Sequence, residues 1–403
     1  MGTEKLKNNM VELNAKQNIP SGWKLKKLSD VLDYERPDAY IVKSTNYSDK
    51  AKTPVLTANK SFVLGYTDED FGIYENVPAI IFDDFTTDSK FVDFPFKIKS
   101  SAIKILKGKS KDIDLRFVFE KMKSVNFPTG SHKRFYISQY QNLEIATPPI
   151  NEQQKIAEIL GMVDEDIAKT QKVIEATEKL KRGLMQQLFT RGIGHIKFKE
   201  TKIGQIPDGW DIVLLDTVAR RGSGHTPNKK IPEYYNGGVK WISLADSKSL
   251  DRGKISQTKI EISQEGLNNS SAVLHPKGTV LLSRDAGIGK SAVMAEDMAV
   301  SQHFITWTCE DNLSNWYLYY YLQFQKKVFE RIAMGSTIKT IGLDFFKKFV
   351  MPLSAIPEQK KIAGILSAVD EKISVNKKLK AKLTLLKKGL MQDLLSGKVR
   401  TIS

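Results

Sequence analysis

Two stretches of the chain carry their apolar residues at steps of three and four. Ile156, Leu160, Val163, Ile167, Ile174, Leu184 and Leu188 form one series, and Ile362, Leu366, Val369, Ile373, Leu383, Leu390 and Leu394 form the other. That spacing gathers them on one face of an α-helix, whereas a half-buried strand needs strict alternation. Each helix is predicted to run for about forty residues, or ~60 Å. Lysines flank both seams, as at the outer positions of a coiled coil. A helix of that length needs a second apolar face to cover its own. In two related halves packed about a pseudo-two-fold axis, equivalent helices lie antiparallel and bury each other's seams. Thr170 and Asn376 fall on the seams near the middle of each helix and would face one another there. A polar residue in such a place either fixes register at some cost in stability or is simply tolerated.

The rest of the chain reads differently. Residues 79–82, 102–106, 278–283 and 303–307 are short apolar and β-branched runs bounded by turn residues, which predict strands. Helical spacing returns at 115–123 and 315–332. Residues 20–147 and 207–353 therefore read as two α+β domains.

The two halves also repeat each other. Ile19-Pro20-Ser21-Gly22-Trp23 returns as Ile206-Pro207-Asp208-Gly209-Trp210, an offset of 187, with Leu28 and Val31 matching Leu215 and Val218. A longer match joins Ile150-Asn151-Glu152-Gln153-Gln154-Lys155-Ile156 to Ile356-Pro357-Glu358-Gln359-Lys360-Lys361-Ile362 at an offset of 206. It persists without a gap to Gly183-Leu184-Met185-Gln186 and Gly389-Leu390-Met391-Gln392. Repetition at this scale constrains architecture more tightly than local propensity. The order is variable, constant, variable, constant: residues 1–148, 149–192, 193–353 and 354–403. The variable segment is 19 residues longer in the second half.

Composition narrows the function. The chain has 403 residues, of which 41% are hydrophobic and 27% charged, enough apolar material for more than one core. Its apolar runs are far shorter than the ~20 residues that span a bilayer, so no membrane helix is expected. A single cysteine, Cys309, makes no internal disulfide, and the N-terminus lacks an apolar leader; both features point to the cytoplasm. A net charge of +16 suits a polyanionic partner, although a solvated basic surface has the same arithmetic.

Polar, basic and aromatic residues cluster at turns, where phosphates and base edges can be reached. His132-Lys133-Arg134-Phe135-Tyr136 follows a turn in the first domain, and Arg220–Lys230 reads as a flexible basic loop in the second. At the offset of 206, Lys133 falls on Lys339 and Arg134 on Thr340, the divergence expected of two readers with different targets. The candidate DNA contacts are Lys60, Thr86, Thr87, Lys97, Lys99, His132, Lys133 and Arg134 in the first domain. In the second they are Arg220, Arg221, His225, Thr226, Lys229, Lys230, Arg284, Lys290, Gln302, His303, Thr337, Lys339 and Thr340.

Catalytic patterns do not hold up. Residues 284–291 end in Gly-Lys-Ser as a P-loop does, but Arg284 stands where its first glycine belongs. Thr147-Pro148-Pro149-Ile150 has Thr where an adenine methyltransferase motif has Asp, Asn or Ser, and Ile where it has an aromatic. Asp83, Asp84, Asp88 and Lys90 crowd into one Thr-rich turn, a poor arrangement for a metal-dependent nuclease, and no zinc-ligand spacing occurs. Neither a metal nor a cofactor is expected.

Taken in order, these features resemble the specificity subunit of type I restriction-modification systems. The resemblance covers essentially the whole chain. It rests on the twin Ile-Pro-x-Gly-Trp motifs, the twin Glu-Gln-x-Lys-Ile helices with their Gly-Leu-Met-Gln ends, and Gly224-His225-Thr226-Pro227 ahead of Tyr234-Tyr235-Asn236-Gly237 and Trp241-Ile242. It implies two target recognition domains, each reading one half of a bipartite, asymmetric site on double-stranded DNA, separated by a coiled-coil spacer of two antiparallel helices. It further implies two methyltransferase subunits as partners, which would supply S-adenosylmethionine and adenine methylation, and restriction and translocase subunits acting through the same complex. A stand-alone DNA-processing enzyme and a duplicated protein-binding scaffold are the competing readings.

Overall fold

Both long helices form, at Ile150–Arg191 and Ile356–Ser396. The structure is a computed structural model that describes residues 19–58, 61–125, 127, 134–335 and 339–401. It divides into two compact units, Met1–Gln171 with Lys378–Ser403, and Lys172–Lys377. The division cuts each helix near its middle, so each unit owns one α+β domain, the start of one helix and the end of the other.

In the first unit an antiparallel sheet runs in the order Leu32–Glu35, Ile103–Gly108, Ala79–Asp83, Ser89–Val92. The helix Leu115–Ser124 packs on it, its N-terminus capped by Asp114, which accepts from Phe117 N. Ile80, Phe82, Leu106, Phe117 and Val118 share a core with Ile156 and Leu160 of the first long helix and Leu394 of the second. A smaller sheet, Val63–Thr67, Thr53–Leu56, Lys97–Ile98, closes a separate core around Leu56, Phe96 and Ile98.

The second unit holds a five-stranded sheet in the order Ala219–Ser223, Phe304–Cys309, Val280–Ser283, Ser291–Met294, Lys254–Ile255. The predicted helix at 315–332 is two, Asn315–Phe324 and Lys326–Ile332, divided at Gln325, which caps both. Tyr317 through Leu322 are all buried, so the first of these helices is covered on every side.

Each unit is closed in the same way, and the twin sequence motifs are the parts that do it. Lys24–Lys27 pairs with Glu144–Thr147, and Asp211–Leu214 pairs with Val350–Leu353, tying the first strand after the Trp to the last strand before the long helix. Trp23 Nε1 then donates to Glu152 at 3.0 Å, and Trp210 Nε1 to Glu358 at 2.9 Å. Gln153 accepts from Asp114 N and donates to Asp112 O and Pro148 O. Gln359 accepts from Ser314 N and donates to Asn312 O and Ser354 O. Both glutamines are buried, so these bonds satisfy loop and helix-end groups that water cannot reach. A nitrogen-bearing side chain from beyond the other helix's C-terminus completes each site: Arg400 donates to Glu152 at 2.7 and 2.8 Å, and His195 Nε2 lies 2.9 Å from Glu358 Oε1.

The seam residues face inward. Ile156, Leu160, Thr170, Ile174, Leu188, Ile362, Leu366, Ile373 and Leu394 are buried, and Val163, Ile167, Leu184, Val369, Asn376, Leu383 and Leu390 are half-buried. Thr170 donates to Asp166 O and Asn376 to Lys372 O, so each polar seam residue is satisfied on its own helix. The lysines are not all outside. Lys387 Nζ lies 2.6 Å from Asp164 Oδ2 and 3.0 Å from Glu120 Oε2, and Lys181 Nζ lies 2.6 Å from Asp370 Oδ1. Within the first unit Asp164 meets Lys387 while Gln171 meets Lys380, so the two helix segments run antiparallel. Lys181 with Asp370 and Glu178 with Lys377 give the same sense in the second unit. Among the described residues no helix is long and apolar enough to cross a membrane.

Candidate nucleic-acid interface

Arg220 and Arg221 lie on a strand, Ala219–Ser223, paired along its length with Phe304–Cys309, and not in a loop. Beneath the strand, His275 Nε2 is 3.2 Å from Ser223 O, and burial pushes the imidazole pKa down, keeping it neutral. The chain then passes so close to its neighbour that a Cβ on Gly224 would stand 1.6 Å from Val300 O. Glycine is required there. The following turn is pinned, because Trp241 Nε1 donates to His225 O at 3.0 Å and Tyr235 Oη donates to Pro227 O at 2.7 Å. These bonds account for Gly224-His225-Thr226-Pro227 and the aromatics downstream of it, and they correct the expectation of a flexible loop.

Three further segments converge on this end of the sheet. Thr226 Oγ1 donates to Gln302 Oε1 at 2.6 Å. Arg284 N donates to His303 O at 3.1 Å, and Ile341 N to Arg284 O at 2.8 Å. Asp285 Oδ2 is 2.6 Å from His303 Nδ1, which fixes that ring. His225, Gln302, Lys339 and Thr340 are exposed, and Thr226, Arg284 and His303 are half-buried. The fold thus gathers Thr226, Arg284, Gln302, His303 and Thr340 from separate parts of the sequence into one basic, donor-rich surface.

The first unit repeats the backbone arrangement with other side chains. Asp84 N donates to Ala102 O at 2.9 Å and Phe135 N to Asp84 O at 2.9 Å, the same pattern that Arg284 makes with His303 and Ile341. Asp84, however, is closed off: its carboxylate accepts from Tyr136 N and pairs with Lys104 at 3.5 Å, and both residues are buried. What remains at the surface is Thr86, Thr87 with a φ of 59°, and Arg134, whose guanidinium sits 5.8 Å from the Phe85 ring. Equivalent positions carry different chemistry.

The sequence model of the type I restriction modification DNA specificity domain matches this chain at residues 20–178 and again at 207–385. The chain belongs to that family. It is 32% identical to the EcoR124I/EcoR124II specificity subunit of Escherichia coli over 85% of each chain. It is 26% identical to the MjaVIII specificity subunit of Methanocaldococcus jannaschii, over 95% of this chain and 94% of that one. Its fold is similar to the crystal structure of the type I S subunit from M. genitalium, with a TM-score of 0.63 at 16% identity, covering 94% of this chain and 97% of that one.

The structure places the candidate contacts in different surroundings. Lys229 and Lys230 are exposed beside the pinned turn, and Arg220 is exposed on its strand. Lys99 is half-buried, its amine 5.7 Å from the Tyr47 ring. Lys97 is a correction: it is wholly buried, 3.0 Å from Glu69 and donating to Phe71 O, so a phosphate cannot reach it. Arg221 is paired with Asp216 at 3.1 Å, and Lys290 donates to Ser247 O at 2.9 Å, so both are tied to acceptors of this chain. Lys60, His132, Lys133 and Thr337 lie outside the described residues. The P-loop resemblance fails on topology, because residues 284–291 join two antiparallel strands and lead into no helix. Asp83 accepts from Phe85 N and Thr86 N, and Asp84 pairs with Lys104, so the acidic turn is spent on its own backbone and lysine. Asp285, missed in the sequence because it looked like part of a failed P-loop, belongs to the surface through His303.

Proposed function

We propose that this specificity subunit directs methylation and restriction by reading a bipartite, asymmetric DNA site, one half-site per α+β domain. The long helices set the distance between half-sites and dock two methyltransferase subunits. The chain itself performs no chemistry; its partners supply the S-adenosylmethionine, the adenine methylation and the ATP-driven cleavage. The observation that carries this reading is the duplicated scaffold with unlike surfaces: the same backbone pairing holds Asp84 with Lys104 in one unit and Arg284 beside Asp285 and His303 in the other. A symmetric reader would repeat its side chains as faithfully as it repeats Trp23 with Glu152 and Trp210 with Glu358.

Long-read methylation mapping tests it directly, on DNA from cells expressing the cognate methyltransferase subunit with and without this chain. A bipartite methyladenine motif seen only with the chain is the expected result. In a third arm, cells expressing this chain without the methyltransferase subunit, methylation would mark a stand-alone enzyme. A verified complex that leaves no motif would favour a protein-binding scaffold.

A further inference from the structure

Arg284 is fixed in the backbone and unanswered in the side chain. Its amide and carbonyl are both bonded, to His303 and Ile341. Its side chain is half-buried, and Nε is buried with no hydrogen-bond partner. Among the described residues no carboxylate reaches its guanidinium within 4.0 Å. Arg116 and Arg221 also keep a buried unbonded nitrogen, but each faces a carboxylate, Glu120 at 3.3 Å and Asp216 at 3.1 Å. Asp285, next in the chain, is turned to His303, and its other oxygen is likewise buried and unbonded. The two terminal guanidinium nitrogens of Arg284 are not buried, and no acceptor among the described residues holds them, so they are the donors that an incoming acceptor can engage.

We infer that Arg284 is the specificity-determining residue of the second domain and that it reads a guanine in the major groove, donating to O6 and N7; the inference rests on the DNA-reading function proposed above. The planar guanidinium fork matches that pair of acceptors, and this is the commonest specific contact between proteins and bases. A phosphate presents acceptors too. Phosphate contacts, however, position the protein and tolerate long mobile cations, a role suited to the exposed Lys229 and Lys230. The Arg284 backbone is held by the segments on either side of it, which fixes the point from which its side chain reaches, as base reading requires. The equivalent place in the first domain is filled by the Asp84 and Lys104 pair, so this contact is confined to the second domain.

The test uses the complete methyltransferase complex and a library of DNA duplexes with randomised half-sites, scored by which sequences become methylated. The wild-type second half-site should contain a G·C pair that Arg284→Ala makes degenerate, with methylation of the original site reduced about tenfold or more and the first half-site unchanged. Arg284→Gln should shift that same position towards A·T, since glutamine pairs with adenine N6 and N7, a gain that misfolding cannot imitate. A second half-site without G·C would overturn the inference. So would an unchanged motif whose affinity falls uniformly and whose salt dependence drops by about one phosphate. A wild-type complex that yields no bipartite motif would instead overturn the function proposed above.

Discussion

Lys181 on the first long helix and Asp370 on the second stand 2.6 Å apart, and the pair recurs with the helices exchanged, as Lys387 and Asp164, again at 2.6 Å. Each lysine lies 206 residues from the other, as does each aspartate, so the repeat places charge at the same point on both seams. The two pairs are unequal in surroundings. Lys387 also serves Glu120, which is wholly buried, and Arg116 reaches Asp164 at 2.5 Å.

Removing one partner of a buried pair strands the other. Lys387→Met should therefore cost the first unit about 2–3 kcal/mol, because Glu120 is wholly buried and is left with Arg116 at 3.3 Å, whereas Asp164 is a third exposed and keeps Arg116. Lys181→Met should cost less, about 1 kcal/mol, since Asp370 is a third exposed and Tyr320 Oη still donates to it. Urea unfolding of the two variants measures the difference, and equal losses would contradict the assignment.

Glu152 and Asp164 link stability to acid. Burial pushes both carboxyl groups up, but Arg400 and Trp23 on Glu152, and Lys387 on Asp164, outweigh it and hold both below the usual carboxylate range. The unfolded chain then takes up protons first as pH falls. Stability should be full above the ordinary carboxylate pKa and drop as pH falls through and below it. Glu152→Gln should lose about 1.5–3 kcal/mol at neutral pH and flatten that acid limb, as read from denaturation midpoints across pH.

Lys121 acts in the opposite range. Burial pushes its amine from a lysine's usual 10.5 down to about 8, while Nζ donates to Leu395 O. Between those two values the unfolded chain binds the extra proton, so stability should rise with pH from about 8 to 10.5. Lys121→Met should reduce that rise, the remainder coming from Lys123, which burial also pushes down, and an unchanged rise in the variant would assign the effect elsewhere.

Gly224 tests the pinned turn. Any side chain there meets the Val300 carbonyl, so Gly224→Ala should cost the second unit about 1–3 kcal/mol by forcing the strand and turn apart. In the methylation assay the variant should weaken reading of one half-site while the other keeps its sequence. Thermal melting and the methylated motif together check both outcomes.

Much of this was legible in the chain itself. Heptad-like spacing fixed both long helices and their buried faces, because a seam repeated over forty positions has one helical solution. The repeats disclosed two related halves, since they match residue for residue at constant offset. Their purpose was not legible: that Trp23 seeks Glu152 and Trp210 seeks Glu358 follows from strand pairing that brings residues 129 and 148 apart into contact. The same limit explains Lys97, Lys181 and Lys387, which read as surface lysines because lysine composition carries no sign of burial; only packing put carboxylates beside them. The candidate contact surface was legible residue by residue, but its assembly was not. Arg284, Gln302, Thr226 and Thr340 are ordinary residues in four separate segments, and they become one site only where the sheet's strands end together, because hydrogen bonding between strands sets their neighbours and sequence order does not.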